Sequence, residues 1–413
     1  MVQRRGPHPS LTKQCKHFSS NPPSPKGKAT GWCDNDMLGG IDHMKFVCSG
    51  MELSEGLRRV GGALPNRTVN QVLEGVKIEA MEGGVRLTAS DERTTIVTTV
   101  PATVEEGGAG VAPGKLLTEV VRGLVNGDVT VAMNGRFAFT VRGGGSRTNL
   151  AGQDADLFPA LPEVTGEHEV RMPRGMLRRM IDKTAFCVAV EDTREVLTGA
   201  ALQFKKGQAF MVGLDGFRMS VCEGVTNVEE DFEAVVPGKA LTDLGKLLSE
   251  GGEDEIIAVD IGGGKLRATV DGTDFYATLI KGEFINWQGI MPKSAQTRVT
   301  LETAKLRRAV DRAALIARQG HNNLLVLRID NDAMAVEAKS EVGDVHEAVD
   351  VETEGAALDI AFNVKYLIDM LKNADSEEIT MCMNGAIAPC TVTAVGGGDV
   401  TYMVLPVRTG ATG

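Results

Sequence analysis

The sequence predicts an α+β protein of three tandem repeats, each a set of antiparallel strands covered on one face by two helices. Three observations carry this. A helix-like segment with Leu-Arg-Arg recurs at 51–64, 173–186 and 301–318, placing Arg58-Arg59, Arg178-Arg179 and Arg307-Arg308 at spacings of 120 and 129. A second unit of helix, polar turn and alternating strand recurs around Lys115, Lys239 and Lys365, at spacings of 124 and 126. Between them lie short alternating runs broken by glycine pairs, such as Glu82-Gly83-Gly84. A period of about 125 residues is longer than solenoid repeats, so each unit is a whole domain.

The elements follow in order. Residues 1–43 hold five prolines and no helix or strand period, and read as a disordered or misannotated N-terminal extension, with Met44 as the natural start. The domains are expected at 44–165, 166–296 and 297–413. In the first, Leu53, Leu57, Val60 and Leu64 form one apolar helix face. After the helix at 114–126, Val129, Val131 and Met133 alternate with Thr130 and Ala132, as in a half-buried strand. The second domain repeats the helices at 173–186 and 238–250, and the third at 301–318 and 363–374. The glycine triplets at 143–145, 262–264 and 396–398 fit no phosphate-loop pattern and read as hairpin turns.

Composition narrows the function classes. The chain has 413 residues, a net charge of −11 and 4% aromatics. It is not basic overall, so bulk attraction to nucleic acid is excluded. No apolar run reaches membrane-spanning length, and the opening residues lack an apolar signal core. Seven widely spaced cysteines without a C-x-x-C pair read as reduced thiols of a cytosolic protein. The histidines show no metal-ligand spacing, and no nucleophile motif occurs. Asp91 and Asp215 occupy equivalent turns, where a carboxylate caps local N–H groups; a carboxylate enzyme site there is the alternative reading.

The distribution of charge is more informative than its sum. The six helix-like segments carry 17 Lys and Arg against 9 Asp and Glu, leaving all the excess negative charge elsewhere. Positive charge on repeated helices suits a lining that faces a polyanion.

Taken with the threefold repeat, several motifs make the family recognisable. They are MKF (44–46), LTASD (87–91), RGL (122–124), SR with DLFPALP (146–147, 156–162), LDGFRM (214–219), VVPGK (235–239), FNVKYLIDML (362–371) and YMVLPVR (402–408). With them, residues 44–408 resemble the β subunit of bacterial DNA polymerase III, the DNA sliding clamp. The resemblance implies three DNA-clamp domains, sheets outside and two helices per domain inside, forming a ring as a head-to-tail homodimer around duplex DNA. It implies a non-catalytic processivity factor, cytoplasmic and nucleoid-associated, with no cofactor, metal or membrane. Its partners would be a clamp loader complex, and DNA polymerases and repair proteins that bring a short clamp-binding peptide.

Residue by residue, the positive helices and the resemblance make Arg58, Arg59, Arg67, Lys115, Arg122, Arg147, Arg178, Arg179, Lys239, Arg307, Arg308 and Lys365 the DNA-facing candidates. The implied peptide pocket comprises Leu197, Leu214, Gly216, Phe217, Arg218, Met219, Ile285, Ile290, Met403, Leu405, Pro406, Val407 and Arg408. Leu150, Leu315 and Ile316 are the implied dimer contacts. The chain departs from the family pattern at Ile285 and Gly289, at Glu195-Val196 and at Thr148, which bears on peptide preference, on a DNA-contacting loop and on the dimer seam. An accessory clamp paralogue with altered partner binding is therefore a further alternative.

Overall fold

A computed structural model describes residues 42–408 of the chain. Residues 1–41 of the expected extension lie outside the described residues. Its last two do not: the first strand opens at Asp42, whose backbone pairs with Asn134. Residues 42 and 43 therefore belong to the first strand, because the neighbouring strand is long enough to pair with residues ahead of Met44.

The first repeat runs β1 (Asp42–Ser49), α1 (Gly50–Val60), β2 (Gly75–Met81), β3 (Gly84–Ser90), β4 (Thr94–Val100), β5 (Thr103–Glu106) and β6 (Gly108–Pro113). It continues with α2 (Gly114–Arg122), β7 (Asp128–Asn134), β8 (Ala138–Gly143), β9 (Ser146–Ala151) and β10 (Gln153–Asp154). The second runs β11 (His168–Pro173), α3 (Arg174–Thr184), β12 (Gly199–Lys205), β13 (Gln208–Leu214), β14 (Arg218–Val225) and β15 (Phe232–Pro237). Then come α4 (Gly238–Leu247), β16 (Ile256–Gly262), β17 (Lys265–Val270) and β18 (Thr273–Thr278). The third runs β19 (Thr297–Glu302), α5 (Thr303–Ala317), β20 (Leu324–Asp330), β21 (Ala333–Ser340), β22 (Gly343–Asp350) and β23 (Glu352–Gly355). It ends with β24 (Leu358–Asn363), α6 (Val364–Asn373), β25 (Glu378–Met383), β26 (Cys390–Ala394) and β27 (Val400–Val404). Short strands at sheet edges, such as β5, β10 and β23, bring the described strands to ten in the first repeat and nine in the third, against eight in the second.

The described strands form four sheets, and two of these pass from one repeat into the next. One nine-stranded sheet orders as β10-β6-β2-β3-β4-β18-β17-β16-β11, and the other as β15-β12-β13-β14-β27-β26-β25-β19-β23. The joints are antiparallel: Ile96 of β4 opposes Phe275 of β18, and Met219 of β14 opposes Met403 of β27. The outer sheets are β5-β1-β7-β8-β9 and β22-β21-β20-β24.

Each first helix starts the same way. The N–H of Gly50, Arg174 and Thr303 donates to the carbonyl of Gly127, Glu255 and Glu377 respectively, at 2.8, 2.7 and 2.8 Å. This fixes the helix against the loop after the second helix, and satisfies a donor that the helix itself leaves open. It also corrects the first sequence marker. The helix starts lie 124 and 129 residues apart, so Leu53 matches Leu177 and Leu306. Arg58-Arg59 therefore falls one turn later on its helix than Arg178-Arg179 and Arg307-Arg308 do. A shift of four residues keeps the same helix face, which is why the pattern still reads as a repeat.

The apolar faces close as expected. Leu53, Leu57 and Val60 are buried, with Leu64 half-buried beyond the helix end. Val129, Val131 and Met133 are buried on β7. The three glycine triplets lie at hairpin turns, and Gly263 and Gly264 take φ of +58° and +70° between β16 and β17, a left-handed conformation that favours glycine.

Phe275 is fully buried at the first joint. Phe275→Ala should cost about 3–5 kcal/mol of stability, read as a lower urea midpoint; an unchanged midpoint would show that this joint does not limit unfolding.

Candidate nucleic-acid interface and peptide site

The twelve expected DNA-facing cations divide into three groups of four. Four of the expected DNA-facing residues reach acids of a neighbouring repeat instead. Arg58 pairs with Glu55 and, at 2.6 Å, with Glu250 beyond α4. Arg59 pairs with Glu55 and donates to the Asp271 carbonyl. Arg179 pairs with Asp375 beyond α6 and with Asp399. Lys239 bonds to Asp91 and to Asp243, both at 2.9 Å. These charges hold repeats together. Arg122, Arg178, Arg307 and Arg308 make local pairs with Glu119, Asp182, Asp311 and Glu302. Arg67, Lys115, Arg147 and Lys365 are exposed and form no ion pair with a described residue.

The two joints share a design. At each, a cation sits between an aspartate of a β-turn and an aspartate one turn into the second helix of the next repeat. At the first joint these are Asp91, Lys239 and Asp243. At the second they are Asp215, Arg218 and Asp369, with Arg218 to Asp369 at 2.6 Å. Arg218 is 8% exposed, donates also to the Phe186 carbonyl, and lies against the rings of Phe186 and Tyr366. A planar guanidinium with five donors suits such a site better than an ammonium.

Apolar residues gather beside Arg218. Leu197, Leu214, Met219 and Met403 are buried in one cluster, separate from the main core, with Ile285 packed against it. Phe217 projects, 58% exposed, and stacks on Tyr366 at a ring distance of 5.9 Å. The Leu405 N–H donates to the Phe217 carbonyl, which sets the half-buried run of Leu405, Pro406 and Val407 alongside; Arg408 and Gly216 are exposed. Ile290 does not join the cluster, whereas Met291 packs on it. Sequence reading missed the cluster's two large aromatic members, Phe284 and Trp287, and Tyr366, on which Phe217 stacks. Trp287 is one of only two tryptophans, a signal that could have marked it. Glu195, in the loop that departs from the family pattern, faces Arg93 of the first repeat at 3.5 Å.

The three dimer candidates differ. Leu315 is 68% exposed, Ile316 is half-buried, and Leu150 is 3% exposed in the core. Leu150 is therefore corrected to a core residue: strand alternation on β9 turns it inward, opposite Phe139.

Asp91 and Asp215 are engaged structurally. Asp91 accepts from the Arg93 and Thr94 N–H groups, and Asp215 from those of Phe217 and Arg218. Their remaining oxygens bind Lys239 and Arg218. No His, Cys, Asp or Glu cluster suited to a metal occurs among the described residues. The described cysteines are free, and burial pushes the Cys48 and Cys222 thiols up to about 12, far from a reactive thiolate.

Three domain profiles of the DNA polymerase III beta subunit match in order: N-terminal over residues 44–162, central over 171–286 and C-terminal over 288–408. The Beta sliding clamp of Staphylococcus aureus is 32% identical over 358 residues, spanning 84% of this chain and 94% of its own length. That of Bacillus subtilis is 30% identical over 380 residues, spanning 89% and 100%. The crystal structure of the Bacillus subtilis sliding clamp superposes with a TM-score of 0.84 at 28% identity, covering 89% of this chain and all of that one. A sliding clamp from Pseudomonas aeruginosa bound to griselimycin gives 0.83 at 26% identity, covering 90% and 100%. Fold and comparisons together define a three-domain DNA clamp. The chain belongs to the DNA polymerase III beta subunit family, and its role is that of a DNA sliding clamp in replication.

Two tests follow from the joints. Removing a buried, fully bonded cation leaves carboxylates unpaired, so Arg218→Ala should cost about 3–5 kcal/mol, measured by chemical denaturation, and Arg218→Lys should recover only part of it. At Arg179, hydrogen bonding holds Asp375 down to about 2 and lowers Asp399 as well. Carboxylates depressed in the folded state lend stability that is complete above their unfolded pKa, about 4, and is lost as pH falls through the folded value. The stability gap between the native chain and Arg179→Gln should thus shrink between pH 5 and 2. A constant gap would deny the pair this role.

Proposed function

We propose that two copies close head to tail into a ring that encircles duplex DNA and tethers a replicative polymerase. One observation carries this. β4 pairs with β18 and β14 with β27, so the third member of each series, β22 and β9, is left at a sheet edge. A strand edge with unpaired backbone groups is a template for another chain. Pairing β22 of one copy with β9 of the next would repeat the two joints already present, and exposed Leu315 would then support that seam. The exposed cations Arg67, Lys115, Arg147 and Lys365 would meet phosphates, without reading sequence.

The cluster around Leu214, Met219 and Met403, capped by Phe217, would take short peptides from polymerases, repair proteins and the clamp loader. In that reading the protein is a non-catalytic member of the polymerase holoenzyme, acting in the cytoplasm at the nucleoid.

On nicked circular DNA, the loaded protein should persist in high salt and leave when the circle is cut. Equal loss from circular and linear DNA would sink the topological mechanism, and light scattering should give a dimer. Phe217→Ala should weaken binding of a polymerase-derived peptide about tenfold, by calorimetry, with little change in stability because the ring is exposed.

A further inference from the structure

The repeats are equivalent at the start of their first helices, yet the second and third fill that place differently. In the second, Arg174 turns its side chain inward. It is 2% exposed, and its guanidinium pairs with Glu255 and Asp271. In the third, Thr303 takes the same position and the same backbone bond to the loop. Its side chain is 6% exposed, and its hydroxyl has no hydrogen-bond partner among the described residues. A buried hydroxyl without a partner carries a desolvation cost, unless something else supplies a bond.

Beside Thr303 lies a cavity of about 790 Å³. Glu302, Asp350, Glu352, Glu377 and Glu378 line it, together with Lys305 and Arg307, so acids outnumber cations five to two. Glu302 is engaged by Lys305 and Arg308 at 3.3 and 3.8 Å. The other four carboxylates form no ion pair with a described residue.

Charge excludes an anionic occupant, and the Thr303 N–H at the helix start is already taken by the Glu377 carbonyl. A single metal ion does not fit either, because these carboxylates do not form a metal-binding group. A guanidinium does fit. It is planar and permanently charged, and its several N–H donors can meet spread acceptors, a neutral hydroxyl among them. The second repeat holds one at the matching chain position, where it meets Glu255, the counterpart of Glu377.

We propose that this cavity is a docking site for an arginine side chain presented by another protein. A peptide-borne arginine is favoured over the free amino acid, whose own carboxylate the four acids would repel.

The test uses N-acetyl-argininamide as probe, titrated into the full-length chain and read by NMR at Thr303 and Glu377. Saturable shifts centred on these residues are expected. Glu377→Gln combined with Glu378→Gln should weaken binding roughly three- to tenfold, with circular dichroism unchanged. Thr303→Arg should supply the guanidinium from within and abolish probe binding; if that variant does not fold, the double glutamine variant decides alone. Absence of saturable shifts, or unchanged affinity in that double variant, would overturn the proposal. Equal or tighter binding of free arginine would overturn the assignment to a protein partner.

Discussion

Backbone hydrogen bonds that cross from one repeat into the next are the constraint on which the rest of the structure depends. At β4–β18 and β14–β27 the ladder does not stop at the boundary. Ladder bonds fix register, and a slip of one residue would turn every side chain to the wrong face. The joints therefore align more than strands. They set Asp91 opposite α4 and Asp215 opposite α6, within reach of Lys239 and Arg218. They also bring Met219 beside Met403, the centre of the peptide-binding candidate.

Charge plays two parts, and net charge hides both. An acidic protein holds several of its helix cations against neighbouring acids, where they are partly shielded from solvent and geometrically fixed. Lys115 and Lys365 on the helices, and Arg67 and Arg147 outside them, stand exposed. A clamp that slides needs weak, even attraction along the duplex, and fewer uncommitted cations suit that better than a dense basic lining. The surplus seen on the helices is therefore no measure of what DNA would meet.

The repeat architecture was legible in the sequence because helix and strand periods survive divergence. Leu53, Leu57 and Val60 mark their helix, and Val129, Val131 and Met133 their strand, without reference to any neighbour. The one-turn offset of Arg58-Arg59 was not legible, since a shift of four residues leaves a helical pattern intact. Leu150 was misread for a related reason. Its apolar side chain is equally consistent with a core and with an interface, and only the pairing of β9 with β8 decides which way it points. The commitment of Arg179 to Asp375 and Asp399 depends on partners some 200 residues away in the chain, which no local pattern encodes.

The two joints use one plan with different cations. At the first, a lysine rising from the second helix fills the gap between two aspartates; at the second, an arginine descending from the turn does so, flanked by Phe186 and Tyr366. Each boundary thus carries its own lock. A shuffled chain, with its third unit placed directly after its first, would set the Asp91 turn against α6, where Lys365 and Asp369 stand at the places of Lys239 and Asp243; the lysine lock could form again, and only the arginine lock with its aromatic flanks would be lost.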